Sequence, residues 1–113
     1  IEVALVGMRD ATDFIAWNAA DVKFHLAILW SAGNELLVPF GFLIESALGT
    51  MFDYTVRHNQ DWRKAYPLHE DIAAAIRKRR PEAARRAVRL LLADTSKVLA
   101  QQSSKSERPK RSA

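Results

Sequence analysis

Three polar side chains of this 113-residue sequence stand where the apolar pattern predicts a helix interior. Asp21 and His25 are one helical turn apart and share a face with apolar residues, and His69 belongs to a second stripe with Ile72 and Ile76. Because an unpaired polar group is costly to bury, each of the three needs a partner. Two imidazoles and one carboxylate are a usual ligand set for a divalent transition metal. A buried His–Asp hydrogen bond explains the same pattern without a metal.

The composition limits the other chemistry that is available. The chain has no cysteine, which excludes a disulfide framework, a thiolate zinc site and a cysteine nucleophile, and which fits a cytoplasmic protein. Hydrophobic residues make up 49% and charged residues 27%, as in an ordinary globular domain. No apolar run of about 18 residues stands out, so we expect no membrane span. No glycine-rich phosphate loop is present.

The net charge of +4 is unevenly distributed. Residues 1–76 carry five Lys/Arg against ten Asp/Glu, whereas residues 77–113 carry twelve against three. A basic third can bind nucleic acid, but this one lacks interleaved aromatic residues and fits the solvated face of an amphipathic helix.

The elements that must position the three polar residues are helices, because the apolar spacing follows three and four rather than two. We predict an all-α antiparallel bundle with no sheet, in which Asn34 caps the third helix and Pro39 lies inside it. The predicted helices cover residues 1–18 (with a possible break near 11–12), 20–32, 34–57, 67–80 and 81–102. Residues 103–113 are predicted to be a polar, basic, disordered tail.

Four motifs in order resemble the FCD domain, the effector-binding domain of FadR-type regulators in the GntR family of bacterial transcription factors. The resemblance covers residues 10–100 and places the domain within residues 1–102. The motifs are Asp21-Val-Lys-Phe24-His25, Ser31-Ala-Gly33-Asn34, His69-Glu-Asp-Ile72-Ala-Ala-Ala75-Ile76 and Pro81-Glu-Ala-Ala84-Arg-Arg-Ala87-Val88.

The resemblance implies a homodimer that binds a small effector, often a carboxylate, and controls operator DNA through an N-terminal winged helix-turn-helix domain. We expect that domain, and most of the opening helices of the effector domain, to be absent from this chain. Many members hold a divalent metal through one Asp and three His. Asp21, His25 and His69 match three of these ligands, and Leu91 stands at the fourth position. We therefore expect zinc or nickel to bind weakly or not at all, in a pocket that also includes Asn34.

Two other functions fit the residues. The first is a small metal-dependent enzyme that uses Asp21, His25 and His69 with open positions for water and substrate. The second is a helical interaction module without a ligand. The ordered motifs favour the effector-sensing domain, and with it a chain that is not an enzyme. The apolar opening segment and the aromatic-rich third helix predict a dimer, because a chain of this size cannot easily hide so much apolar surface.

Overall fold

The computed structural model describes residues 1–58 and 61–106, and these residues form five α-helices and two short 3₁₀ turns without a strand. The all-α prediction is therefore confirmed. The 3₁₀ turns are Glu35–Leu37 and Trp62–Ala65. The helices are α1 (Glu2–Asp10), α2 (Phe14–Ser31), α3 (Phe40–His58), α4 (Tyr66–Arg77) and α5 (Pro81–Ser106).

The break near residues 11–12 separates α1 from α2, and α2 begins six residues earlier than predicted. The carboxylate of Asp13 accepts a hydrogen bond from the backbone N–H of Ala16 at 2.8 Å and caps the first turn of α2. This cap explains why α2 begins at Phe14 rather than at Ala20.

The predicted third helix is divided. Asn34 accepts a hydrogen bond from the N–H of Leu36 at 3.0 Å, so it caps the short 3₁₀ turn and not α3. Pro39 lies just before α3 and not inside it. A proline at this place loses no helical hydrogen bond, because the first turn of a helix leaves its N–H groups without intrahelical partners.

A tight turn joins α4 to α5. Arg79 has a φ of +53°, the N–H of Arg79 bonds the carbonyl of Ile76, and that of Arg80 bonds the carbonyl of Ala75. This pattern is a Schellman motif with an arginine at the left-handed position that glycine usually occupies. It ends α4 at Arg77, three residues before the predicted end. The following helix begins at Pro81, as predicted, and continues to Ser106, so residues 103–106 are helical where a disordered tail was predicted. Residues 107–113 of the predicted tail lie outside the described residues.

The core lies between α1, α2, α4 and α5. Its largest fully buried side chains are Met8, Phe24 and Ile72, one each from α1, α2 and α4, and α5 adds Ala87 and Leu91. Helix α1 packs against α2, and α4 packs against both α5 and α1.

The third helix is the most exposed of the apolar elements. It packs against α2, where the backbone at Gly41 approaches Leu26 so closely that an added Cβ would lie 3.2 Å from its Cδ2 atom. On the outer side of α3, the residues Phe40, Phe42 and Leu43 are between 52% and 74% exposed to solvent. The radius of gyration is 15.7 Å, against about 13 Å for a compact chain of this length.

The segment Glu35–Tyr54 is long and apolar enough to cross a membrane by length and composition alone, with a mean hydropathy of 1.4. The sequence contains no uninterrupted apolar run of this length, and for that reason the apolar pattern predicts no membrane span. Glu35, Glu45 and Asp53 interrupt this one. A single helix that passes this test is weak evidence for a membrane span.

Candidate metal and effector site

The structure brings Asp21, His25 and His69 together at the contact between α2 and α4. The Oδ1 atom of Asp21 lies 3.1 Å from Nε2 of His25 and 3.0 Å from Nε2 of His69. The first contact follows from the spacing of one helical turn between Asp21 and His25 on α2. The second contact joins residues that are 48 positions apart in the sequence. The potential ligand atoms of all three residues lie within 4.8 Å of one another, so they form one cluster.

The backbone fixes the orientation of the His69 ring. Its Nδ1 atom lies 2.7 Å from the carbonyl oxygen of Ala65, and since a carbonyl only accepts, Nδ1 carries the proton of this hydrogen bond. A neutral ring that donates from Nδ1 presents a lone pair at Nε2. The Nε2 atom of the same ring faces the Oδ1 atom of Asp21 at 3.0 Å. Metal-binding histidines show the same arrangement, in which the other ring nitrogen donates to a carbonyl.

Asp21 is ionised in this environment. Burial alone would raise the pKa of its carboxyl group, but hydrogen bonds from His25 and His69 outweigh burial and lower the pKa to about 2, from an ordinary value of 3.8. The cluster therefore contains one fixed negative charge at neutral pH.

Aromatic rings surround the buried member of the cluster. The rings of Trp17 and Phe24 meet that of His69 edge to face, at centroid distances of 5.9 and 5.2 Å. Trp17 in turn packs on Trp62 at 5.2 Å, next to the 3₁₀ turn that supplies the Ala65 carbonyl. His69 is almost fully buried, Asp21 is 14% exposed and His25 is 24% exposed. Access to the cluster is thus from the side of His25.

The groups that orient His69 cannot be identified from the residue pattern. The Ala65 carbonyl is four residues before His69, a spacing at which any histidine in a first helical turn can reach a backbone oxygen. Trp17 is likewise one turn before Asp21 and so lies on the same face of α2. Neither signal distinguishes a functional residue from an ordinary core residue.

The two other predicted site residues lie apart from these contacts. Leu91 is buried on α5 in the same core cluster as Phe24 and Ile72, which agrees with the expected inward direction of its side chain. Asn34 is exposed, and its contact in the structure is the cap on Leu36. The membership of Asn34 in an effector pocket stays a prediction.

Comparison with protein families gives one result. The model of the FCD domain matches residues 1–94, so the chain belongs to the FCD family, whose members are effector-binding regulatory domains of GntR-type transcription regulators. No curated protein and no solved structure matches the chain. The confirmed family agrees with the ordered motifs of the sequence and with the all-α fold.

The donor set fits a divalent metal ion. Two imidazole nitrogens and one carboxylate oxygen are ligands that first-row transition ions accept. Metal–ligand bonds of about 2.1 Å at right angles separate neighbouring donor atoms by about 3.0 Å, close to the two Asp21–His distances. The Asp21–His25–His69 group could therefore hold a metal with little movement.

Proposed function

We propose that this chain is the effector-sensing and dimerisation domain of a cytoplasmic GntR-type regulator. It binds a small carboxylate and thereby controls operator binding by a winged helix-turn-helix domain that these 113 residues do not contain. The observation that carries the proposal is the convergence of Asp21, His25 and His69 in a chain of the FCD family. We propose a regulatory role rather than catalysis.

The site supports an anionic ligand in two ways. His25 is the most exposed member of the cluster and can donate a hydrogen bond to a carboxylate at the entrance. A divalent ion held by Asp21, His25 and His69 would attract the same carboxylate and supply a charge at the centre of the pocket. We propose that zinc or nickel is held weakly here, because the fourth family ligand is replaced by Leu91.

Calorimetry with a panel of small carboxylates tests this function, first with the metal-free domain and then with the zinc-loaded domain. We expect at least one carboxylate to bind, and we expect Asp21→Asn to change its affinity. The matched control is Asp71→Asn, which removes an exposed carboxylate two residues from His69. Absence of binding to the whole panel, with and without metal, would contradict the proposed function.

Operator recognition is tested separately. Because the reading domain lies outside these residues, we expect this chain to bind DNA weakly, without sequence preference and with strong salt dependence, through the basic residues 77–113. Gel-shift titration at two salt concentrations measures this. Tight binding to a single sequence at physiological salt would contradict the proposal that a separate domain recognises the operator.

A further inference from the structure

Between positions 77 and 89 the chain carries seven of its 17 Lys and Arg residues, at the turn between α4 and α5 and in the first turns of α5. We infer that this surface binds the phosphodiester backbone of duplex DNA. The inference rests on the proposed function, because it gives the effector-sensing domain a DNA contact of its own. The surface, which we call the basic turn, consists of Lys78, Arg79, Arg80, Arg86 and Arg89.

The nearby acidic side chains do not neutralise the basic turn. Glu82 is the one acidic residue between positions 77 and 89, and it pairs with Arg85 at 2.9 Å. Glu2 on α1 pairs with Arg77 at 2.6 Å. Among the residues that the structure describes, no carboxylate forms an ion pair with a member of the basic turn, and all five members are exposed. Five positive charges therefore lie close together without compensation, and a bound polyanion removes their mutual repulsion.

The stability of the two helices does not account for all of this charge. Basic residues stabilise the C-terminal end of a helix through the helix dipole, which explains Lys78 directly after α4. Arg86 and Arg89 lie within the first nine residues of α5, where the dipole gives a cation no such benefit. They are three residues apart, so their like charges are neighbours on the surface of the helix. Both charges are thus unfavourable for α5 alone.

The backbone of Arg79 is a separate observation that indicates a ligand. Its φ of +53° is the left-handed conformation that glycine adopts without strain and arginine does not. In the described part of the chain, the guanidinium group of Arg79 forms no ion pair that would offset this strain. Strained residues of this kind cluster at functional sites. We therefore assign the side chain of Arg79 to ligand binding rather than to folding.

The residue types favour the outside of a DNA duplex. Four of the five members are arginines, whose planar guanidinium group donates two parallel hydrogen bonds to a phosphate. Residues 77–113 contain no aromatic side chain, so they lack the stacking surface on which proteins hold single-stranded nucleic acid. Residues 77–89 also contain no Asn or Gln that could read the edge of an adenine. Contacts of this kind hold the DNA without reading its sequence.

The dimensions of the basic turn suit a DNA strand. From Pro81 to Arg89 the axis of α5 rises by about 12 Å, and the phosphates of one strand recur about every 3.4 Å along the duplex axis. The surface therefore spans about three or four phosphates. It is also separate from the Asp21–His25–His69 cluster, because His69 lies about 12 Å along the axis of α4 from the end of that helix.

Fluorescence anisotropy with the full chain and a short labelled duplex of arbitrary sequence tests the basic turn. We expect the double variant Arg86→Gln with Arg89→Gln to weaken binding at least tenfold at about 50 mM salt. The slope of log affinity against log salt should fall by about two, since each phosphate contact contributes about 0.9. Arg86→Lys with Arg89→Lys keeps both charges. It should restore the slope and part of the affinity, because an ammonium group lacks the planar pair of donors.

Two other double variants are matched controls, since each removes two positive charges from a different part of the chain. Lys23→Gln with Lys64→Gln alters exposed residues of α2 and of the 3₁₀ turn before α4. Lys110→Gln with Arg111→Gln alters the C-terminal sequence, outside the described residues. We expect each control to weaken binding less than threefold, and circular dichroism checks that every variant keeps its helical content.

Three results would overturn the inference. In the first, the Arg86 and Arg89 double variant loses no more affinity than the Lys23 and Lys64 control. In the second, the C-terminal control loses as much as that variant, which would place the DNA contact in the C-terminal sequence. In the third, poly-glutamate displaces the duplex at an equal concentration of charge, which would indicate an acidic protein as the partner. The titration with small carboxylates should be the same for the double variant and the unaltered chain, and its failure would contradict the proposed effector sensing instead.

Discussion

His69 and Ala65 are joined by a hydrogen bond of 2.7 Å between the ring nitrogen Nδ1 and the backbone carbonyl oxygen. The bond leaves the Nε2 atom of His69 directed at Asp21, at 3.0 Å. One ring therefore links the beginning of α4 with the middle of α2, and the predictions about this contact depend on it.

Replacing His69 with alanine is expected to destabilise the domain by about 2–3 kcal/mol, because it leaves a buried acceptor at Ala65 and removes one partner of Asp21. His25→Ala is the matched control. Its side chain is more exposed, and we expect a loss of about 1 kcal/mol. Urea unfolding measures both free energies, and equal losses would contradict the different roles of the two rings.

The pKa of Asp21 predicts how stability depends on pH. Because the folded pKa of about 2 lies below the ordinary value of 3.8, the ionised group stabilises the fold above about pH 4, and this contribution is lost as the pH falls towards 2. The difference corresponds to about 2 kcal/mol. Urea unfolding at several pH values should show a shallower acid dependence for Asp21→Asn than for the unaltered protein, and an unchanged dependence would contradict this prediction.

Leu91→His tests the fourth ligand position. We expect it to raise the affinity for zinc or nickel at least tenfold, about 1.4 kcal/mol, and to lower the stability of the metal-free domain, because an imidazole replaces a buried apolar side chain. Leu90→His is the matched control, since Leu90 is 63% exposed on the same helix. Calorimetry that finds equal metal affinity in the Leu91→His variant and the unaltered protein would show that residue 91 does not face the site.

The turn between α4 and α5 offers a test of backbone strain. Arg79 adopts a φ of +53°, which favours glycine, so we expect Arg79→Gly to stabilise the domain by about 0.5–1 kcal/mol. Arg79→Ala also removes the charge but keeps a Cβ atom, and we expect no comparable gain. Thermal unfolding of the two variants separates the effect of the backbone from that of the charge.

Self-association is expected to involve the outer side of α3. Phe40, Phe42 and Leu43 expose large apolar side chains there, next to the exposed Leu36. We expect the domain to sediment as a dimer at tens of micromolar and Phe42→Glu to weaken the dimer. Leu90→Glu, on a different helix, should leave it intact. Sedimentation of the unaltered protein only as a monomer would contradict the proposed dimer.

The sequence predicts the polar contacts that helical periodicity determines. Asp21 and His25 are four residues apart, and the stripe of α4 places His69 inward, so two inward faces were sufficient to predict the cluster. The bond to Ala65 was not predictable, because backbone carbonyls leave no mark in the residue pattern.

The helix boundaries were less well predicted, since local hydrogen bonds decide them. The side chain of Asp13 begins α2 earlier than the apolar pattern suggested, and that of Asn34 caps a 3₁₀ turn instead of a long helix. Both residue types cap helices and turns in other positions as well, so their identity alone did not fix the geometry.

The length of α5 has a mechanical consequence. It contains 26 residues whereas α4 contains 12, so its second half extends about 21 Å further along the axis than its partner in the hairpin. A rotation of α5 about its contact with α4 by about 10° would displace its far end by about 4 Å. Leu91 lies near the point about which α5 would rotate, and Ser106 lies at the far end of the helix. A change of side-chain packing beside Leu91 that rotated α5 would therefore produce a larger movement at a surface remote from Asp21, His25 and His69.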